Sequence, residues 1–248
     1  MNKFMLIAVT MLACLLAAGA AVQAAVITVY PADMHGWFVN KTAGTVEMVS
    51  GPGSPPLGAG SAHLNPGAYG SDYAGLATNN YAGTRLADLT SLIFSTYCTQ
   101  NDGKQFPFMV IALDAGGGAT VDKYLYFEPA YQSPGQPATQ MNTWQTWNAL
   151  AGGWTDSPNT GTNIRSLANY LASRPNAQLA NPGAVYGAVN LLVGGVGDNY
   201  QFNGYVDNVT IGTASGGTTY NFEVTPEPAT MALLAAGGVA SLARRRRK

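Results

Sequence analysis

Tyr205-Val206-Asp207-Asn208-Val209-Thr210-Ile211 and Thr218-Thr219-Tyr220-Asn221-Phe222-Glu223 are two runs rich in β-branched and aromatic residues, separated by Gly212-Thr213-Ala214-Ser215-Gly216-Gly217. Such side chains fit a pleated, half-buried surface, and clustered glycine and serine interrupt it. The stretch reads as two strands and a turn. The same pattern recurs toward the N-terminus, predicting strands at 26–30, 36–40, 45–50, 61–65, 73–78, 89–97, 108–114, 123–128, 143–149 and 185–193. Breaks such as Gly51-Pro52-Gly53-Ser54-Pro55-Pro56 and Ser133-Pro134-Gly135-Gln136-Pro137 fall between them. One helix is expected at 164–173, with Leu167, Tyr170 and Leu171 on one face, Asn163 as its cap and Pro175 ending it. A dozen strands and one short helix predict an all-β fold, a two-sheet β-sandwich of jelly-roll-like form.

Neither end of the chain fits that pattern. Lys3 precedes an uncharged apolar run, 4–21, and Val22-Gln23-Ala24 places small residues before Ala25. This is the form of a secretory signal peptide over 1–24, cleaved between Ala24 and Ala25. The alternative is an uncleaved N-terminal anchor. The other end, 226–248, holds Pro226-Glu227-Pro228, an apolar run 229–243, and Arg244, Arg245, Arg246, Arg247 and Lys248. Fifteen helical residues span about 22 Å against a hydrocarbon core of about 30 Å, a marginal anchor that snorkelling arginines would help. The cation block belongs on the cytoplasmic side, which leaves the domain outside and the tail in the inner membrane.

The expected folded domain is therefore 25–225. The whole chain has a formal charge of −1. Six of its twelve cations and one of its thirteen acids lie in the two ends, so the domain carries six cations against twelve acids. Without a basic stripe it is not expected to bind nucleic acid. Cys98 is its single cysteine, so no internal disulfide can form, and its apolar strand context predicts burial.

The three-part order of the tail resembles the PEP-CTERM sorting signal. The resemblance implies recognition by an exosortase, a membrane cysteine transpeptidase, cleavage near Pro226-Glu227-Pro228, and release to the cell surface or matrix. It also implies an association with exopolysaccharide. The alternative is a short tail anchor that is never cut. A second resemblance rests on Gly51-Pro52-Gly53-Ser54-Pro55-Pro56-Leu57-Gly58, Thr143-Trp144-Gln145-Thr146-Trp147-Asn148-Ala149 and the Val206-Asp207-Asn208-Val209 strand with Thr219-Tyr220-Asn221-Phe222-Glu223. These are similar to secreted bacterial sandwich domains of carbohydrate-binding-module-like or concanavalin-like kind. Such modules often hold a structural calcium near the terminal strands. The resemblance implies Asp207 and Glu223 as its ligands, against a reading in which Asp207 satisfies backbone donors at a strand edge.

Catalytic patterns are absent from the domain sequence. It has no His-Glu-x-x-His, Cys-x-x-Cys or Gly-x-Ser-x-Gly, and its histidines, His35 and His63, read as turn or surface residues. Asp114, Asp122 and Glu128 flank two adjacent strands and could pair for glycoside hydrolysis, but solvated or turn aspartates are the expectation. The domain is not expected to be an enzyme. The flat aromatics are the remaining signal. Trp144 and Trp147, three apart on a strand, should face opposite ways, one into the core and one outward. Trp154 follows Ala151-Gly152-Gly153 and could lie over a cleft. Tyr69, Tyr73 and Tyr81 could form another rim. Two functions stay open: a structural or adhesive envelope protein associated with exopolysaccharide, and a carbohydrate-binding module with a tryptophan-lined site. A divergent glycoside-active enzyme is the third and weakest reading.

Overall fold

The computed structural model describes residues 24–225, apart from 102–104, 117–119, 133–134, 159, 184–185 and 196–201. The signal peptide through residue 23 and the sorting tail from Pro226 lie outside the described residues. In chain order the strands are β1 (Ala25–Val29), β2 (Trp37–Lys41), β3 (Thr45–Ser50), β4 (Gly60–Asn65), β5 (Tyr73–Thr78), β6 (Leu89–Gln100), β7 (Phe108–Asp114) and β8 (Lys123–Phe127). They continue with β9 (Gln145–Asn148), β10 (Gly153–Trp154), β11 (Arg165–Ser166), β12 (Gln178–Leu179), β13 (Val189–Gly194), β14 (Asn203–Thr213) and β15 (Gly216–Phe222). Each of the twelve predicted strands is present. The two-residue strands β10, β11 and β12 are too short to leave a period in the sequence.

Two sheets carry the fold. The first runs β9-β6-β14, and β14 then divides its other edge between two partners, β4 along Gly204–Val206 and β15 along Val209–Thr213. β3 extends the β4 arm, and β1 lies parallel to β15 on the other. The second sheet runs β8-β7-β13-β5-β2, with β12 against the far end of β7. Successive strands pass repeatedly from one sheet to the other, which makes the sandwich jelly-roll-like. The first strand pairs with the last, so the described segment closes on itself.

Alternation explains the core. On β6, Leu92, Phe94 and Cys98 are buried, while Ser91, Ile93 and Tyr97 on the opposite face are half-buried. Val206 and Val209 of β14 both reach the core although they are three apart. An extra residue resolves the phase conflict: the register slips between Asp207 and Thr210, and Asn208 adopts a φ of 52°. Asparagine tolerates that left-handed conformation better than most residues. Between the sheets, Phe94, Phe127 and Trp154 pack edge to face and tilted at centroid distances of 5.7 Å.

The helix Leu167–Ser173 starts later than predicted. Ser166, not Asn163, caps it by accepting the Asn169 N–H at 3.3 Å. Asn163 takes a positive φ in the preceding turn, and β11 intervenes, so the cap moves to the next residue with a suitable oxygen.

Candidate functional site

The register of the first sheet aligns one aromatic from each of several neighbouring strands. Tyr205 of β14 lies opposite His63 of β4 on one side and Tyr97 of β6 on the other. The next step of the β6–β9 register, after Thr96 and Gln145, brings Tyr97 beside Trp144. His63 and Tyr205 stack at 4.7 Å and 28°, Tyr205 and Tyr97 meet edge-on at 6.1 Å, and Tyr97 and Trp144 tilt together at 5.5 Å. All four are half-buried, on the face opposite the core residues Leu64, Val206, Phe94 and Cys98. The result is a cross-strand aromatic row.

Polar groups border the row. His63 Nε2 lies 3.0 Å from Asn203 Oδ1, which also accepts from Asn65 Nδ2 at 2.8 Å. An amide oxygen only accepts, so His63 donates to it from Nε2. Burial pushes the Tyr205 hydroxyl above the ordinary phenol range. At the other end, Trp144 Nε1 donates to the Pro52 carbonyl at 2.8 Å. Pro52 belongs to the loop between β3 and β4, residues 51–59, and Gly53 of that loop passes close to the Tyr97 ring.

That loop is anchored by the two carboxylates proposed as calcium ligands. Asp207 stands where β14 changes partner from β4 to β15, and a fork of this kind leaves backbone donors unpaired on both arms. Its Oδ2 accepts the Leu57 N–H at 3.0 Å and its Oδ1 the Phe222 N–H at 3.1 Å. Glu223 Oε1 accepts the Ala59 N–H at 2.7 Å. Burial pushes the Asp207 carboxyl up to about 7, against the pull of its backbone hydrogen bonds, with Glu223 adding to the rise. Both residues therefore serve as acceptors for backbone donors. Among the described residues no group of three His, Cys, Asp or Glu side chains is placed to hold a metal ion.

The structure places the other sequence candidates elsewhere. Trp147 faces the core as one of the predicted pair should, and donates to Thr96 Oγ1 at 2.8 Å. Its partner Trp144 is the outward one. Trp154 does not lie over a cleft: it is fully buried, and its Nε1 donates to the Ala149 carbonyl at 2.8 Å. The Gly152–Gly153 pair lets it turn inward, since a Cβ at Gly152 would strike the Phe127 ring at 2.2 Å. Neither buried tryptophan offers a face to a ligand. Tyr69 is exposed, Tyr81 bonds the Tyr220 hydroxyl at 2.8 Å, and Tyr73 joins a second group with Tyr124 and Tyr186 covering Phe108, Val110 and Leu192 on the outside of the second sheet. They form no common rim. Asp114 holds the Gly116 N–H and Gln178 Nε2, and Asp122 holds the Ala115 N–H, so both brace a turn. His35 is exposed, in a turn with Asp33, whereas His63 belongs to the aromatic row.

Residues 224–248 match the PEP-CTERM protein-sorting motif. No curated protein sequence matches the chain. Among solved structures, a β-1,2-glucanase from Parabacteroides distasonis overlaps 73% of this chain and 22% of its own, at 12% identity and a TM-score of 0.36. A fragment comprising domains CD, residues 230–489, overlaps 71% of this chain and 63% of its own, at 12% identity and a TM-score of 0.34. The chain thus spans less than two thirds of either structure. Likeness at that level carries no argument about activity. Among the described residues no helix is long and apolar enough to cross a membrane, and the apolar run 229–243 lies outside them.

Proposed function

We propose that this chain, an exported protein marked by its PEP-CTERM motif for exosortase sorting, serves a non-enzymatic adhesive role in which its sandwich holds exopolysaccharide. In this reading the tail keeps the protein in the inner membrane, with Arg244 to Arg247 on the cytoplasmic side, until the exosortase acts near Pro226-Glu227-Pro228. The protein then passes to the cell surface or matrix. The motif supports the route. The observation that carries the role is the row Trp144–Tyr97–Tyr205–His63. Sugar rings have apolar faces that pack on flat aromatic side chains, and their hydroxyls need donors and acceptors such as those of His63, Asn65 and Asn203. The net negative domain favours a neutral polysaccharide over an anionic one.

The same row supports the second reading, a carbohydrate-binding module with a defined site. The two differ in what a short oligosaccharide does. A defined site binds it saturably and gives it up to competition, whereas an adhesive surface needs a long chain and many weak contacts.

The test is a pull-down of residues 25–225 with the producing strain's exopolysaccharide and a panel of insoluble glycans. Trp144→Ala and Tyr97→Ala should each abolish retention while the circular dichroism spectrum stays unchanged. Retention that survives both substitutions, or no retention on any glycan, removes the aromatic row as a binding surface.

A further inference from the structure

The outer face of the second sheet carries a second aromatic group. Tyr73 opens β5, Tyr124 and Tyr126 belong to β8, and Tyr186 precedes β13. Tyr186 links the two strands: its ring centroid lies 5.7 Å from that of Tyr73 and 5.1 Å from that of Tyr124. Beneath them Phe108, Val110 and Leu192 form a floor separate from the core between the sheets. Covering that floor needs only apolar surface, which phenylalanine or leucine would supply. Four hydroxyls are what the tyrosines add.

Those hydroxyls converge and are free to bind. All four residues are half-buried, yet among the described residues none of their hydroxyls is tied to another group, whereas those of Tyr81 and Tyr220 bond each other at 2.8 Å. Burial pushes each of the four above the ordinary phenol range, and at Tyr186 the nearby Tyr126, Tyr73 and Tyr124 add to the rise. They therefore stay protonated at neutral pH, and each can donate and accept. The charged group that acts on them is the carboxylate of Glu128, beside Tyr126, and no cation does. An anionic ligand would find no counter-ion here.

We infer that this face is a second glycan contact, which takes a further strand of the neutral polysaccharide, so that one domain bridges two chains. The inference rests on the reading of the row on the first sheet. Rings for the apolar faces of sugars and neutral groups that donate and accept for their hydroxyls occur in both places. The two faces look away from each other across the sandwich, so a chain on one does not continue onto the other. The tyrosine face is the weaker. Its rings meet at 59°, whereas His63 and Tyr205 stack at 28°. It does not retain the protein alone, and it counts once the row has lined up many copies along one chain.

Fluorotyrosine labelling of residues 25–225 reads both faces in one titration with short fragments of the producing strain's exopolysaccharide. Signals are assigned by their loss in tyrosine-to-phenylalanine variants. Those of Tyr97 and Tyr205 should shift first, and those of Tyr124 and Tyr186 saturably at about tenfold higher concentration. In Trp144→Ala the second pair should respond as before. With the long polysaccharide, the unaltered domain should cloud the solution. Tyr124→Ala should weaken clouding about tenfold and leave pull-down retention unchanged. Tyr124 and Tyr186 signals that stay still while Tyr97 and Tyr205 respond overturn this inference and leave the row standing. The reverse pattern removes the row and keeps this face as a glycan contact, and silence at all four overturns both. Clouding that survives Tyr124→Ala overturns the bridging. A dimer in sedimentation velocity without glycan, broken by Tyr124→Ala, assigns the face to a second copy of the chain and overturns the glycan contact.

Discussion

Trp144 donates its indole N–H to the carbonyl of Pro52 at 2.8 Å, across 92 positions of sequence. The bond ties the segment entering β9 to the β3–β4 loop and sets the tilt of the indole against Tyr97. Trp144→Phe keeps a ring beside Tyr97 and gives up the bond. Both partners are half-buried, so water can replace the lost donor, and stability should fall by no more than about 1 kcal/mol. Glycan retention should be weakened several-fold yet remain above that of Trp144→Ala. Binding isotherms beside urea titrations separate the two effects, and a Phe variant no better than Ala would show that loop anchorage, not stacking, matters.

Gly58 tests the anchor itself. It has a φ of 61°, and a Cβ there would lie 1.7 Å from Glu223 Oε1. Gly58→Ala must displace the carboxylate that accepts the Ala59 N–H, and must also hold an L-residue in the left-handed region. Together these should cost about 2–4 kcal/mol by urea unfolding. Gly53 is the control. Its φ is also positive, but its Cβ would meet Tyr97 Cε2 at a comfortable 3.9 Å, so Gly53→Ala should cost only the backbone share, about 1–2 kcal/mol. Equal losses at the two positions would remove Glu223 from the account.

Trp147 and Trp154 should behave as core residues and nothing more. Each is fully buried, so replacement by alanine should cost about 3–5 kcal/mol. Trp147→Ala also leaves Thr96 Oγ1 without its donor. Glycan retention per folded molecule should be unchanged for both, scored against the folded fraction from near-ultraviolet dichroism. Lost retention in a fully folded variant would mean that the site reaches into the core.

The contrast among these tryptophans shows what a sequence conveys. Runs of β-branched and aromatic residues between glycine- and proline-rich breaks located the strands, and period-two alternation fixed the faces of one of them. It sent Trp144 and Trp147 to opposite faces. It could not bring His63, Tyr97, Tyr205 and Trp144 together, since a cross-strand row depends on register between segments far apart in the chain, and no local pattern encodes that. His63 accordingly reads as a turn or surface residue, and Tyr97 and Tyr205 carry no mark beyond their places in the predicted strands 89–97 and 205–211. Trp154 was misread for a related reason: the glycines before it suggest an open loop, but their lack of a Cβ is what allows the chain to pass Phe127 and turn the indole inward. The Val206-Asp207-Asn208-Val209 run did mark a strand, β14, the last but one. Its phase break, and the fork that Asp207 serves, become readable only once β4 and β15 are seen sharing one edge of β14.

That fork gives the protein a pH dependence of defined sign. The Asp207 carboxyl is pushed up to about 7 in the folded chain, chiefly by burial, from an ordinary value of 3.8. The folded state therefore holds a proton that the unfolded state has released at the same pH. The stability this contributes is fully present below about pH 4 and declines as pH rises through 7. The change is on the order of a few kcal/mol, since a tenfold difference in proton affinity between the two states corresponds to about 1.4 kcal/mol. Above pH 7 the carboxylate is charged in both states and the decline levels off. Asp207→Asn removes the titration, but its amide nitrogen cannot accept, so either the Leu57 or the Phe222 N–H loses its partner, at about 1–3 kcal/mol. Urea midpoints at pH 5, 6, 7 and 8 should fall for the unaltered domain up to about pH 7 and level off toward 8, and fall less steeply for Asp207→Asn, with the difference between the two curves isolating this one group from the remaining carboxylates and histidines. Parallel curves would mean that Asp207 titrates in the ordinary carboxylate range and that the fork holds it charged throughout.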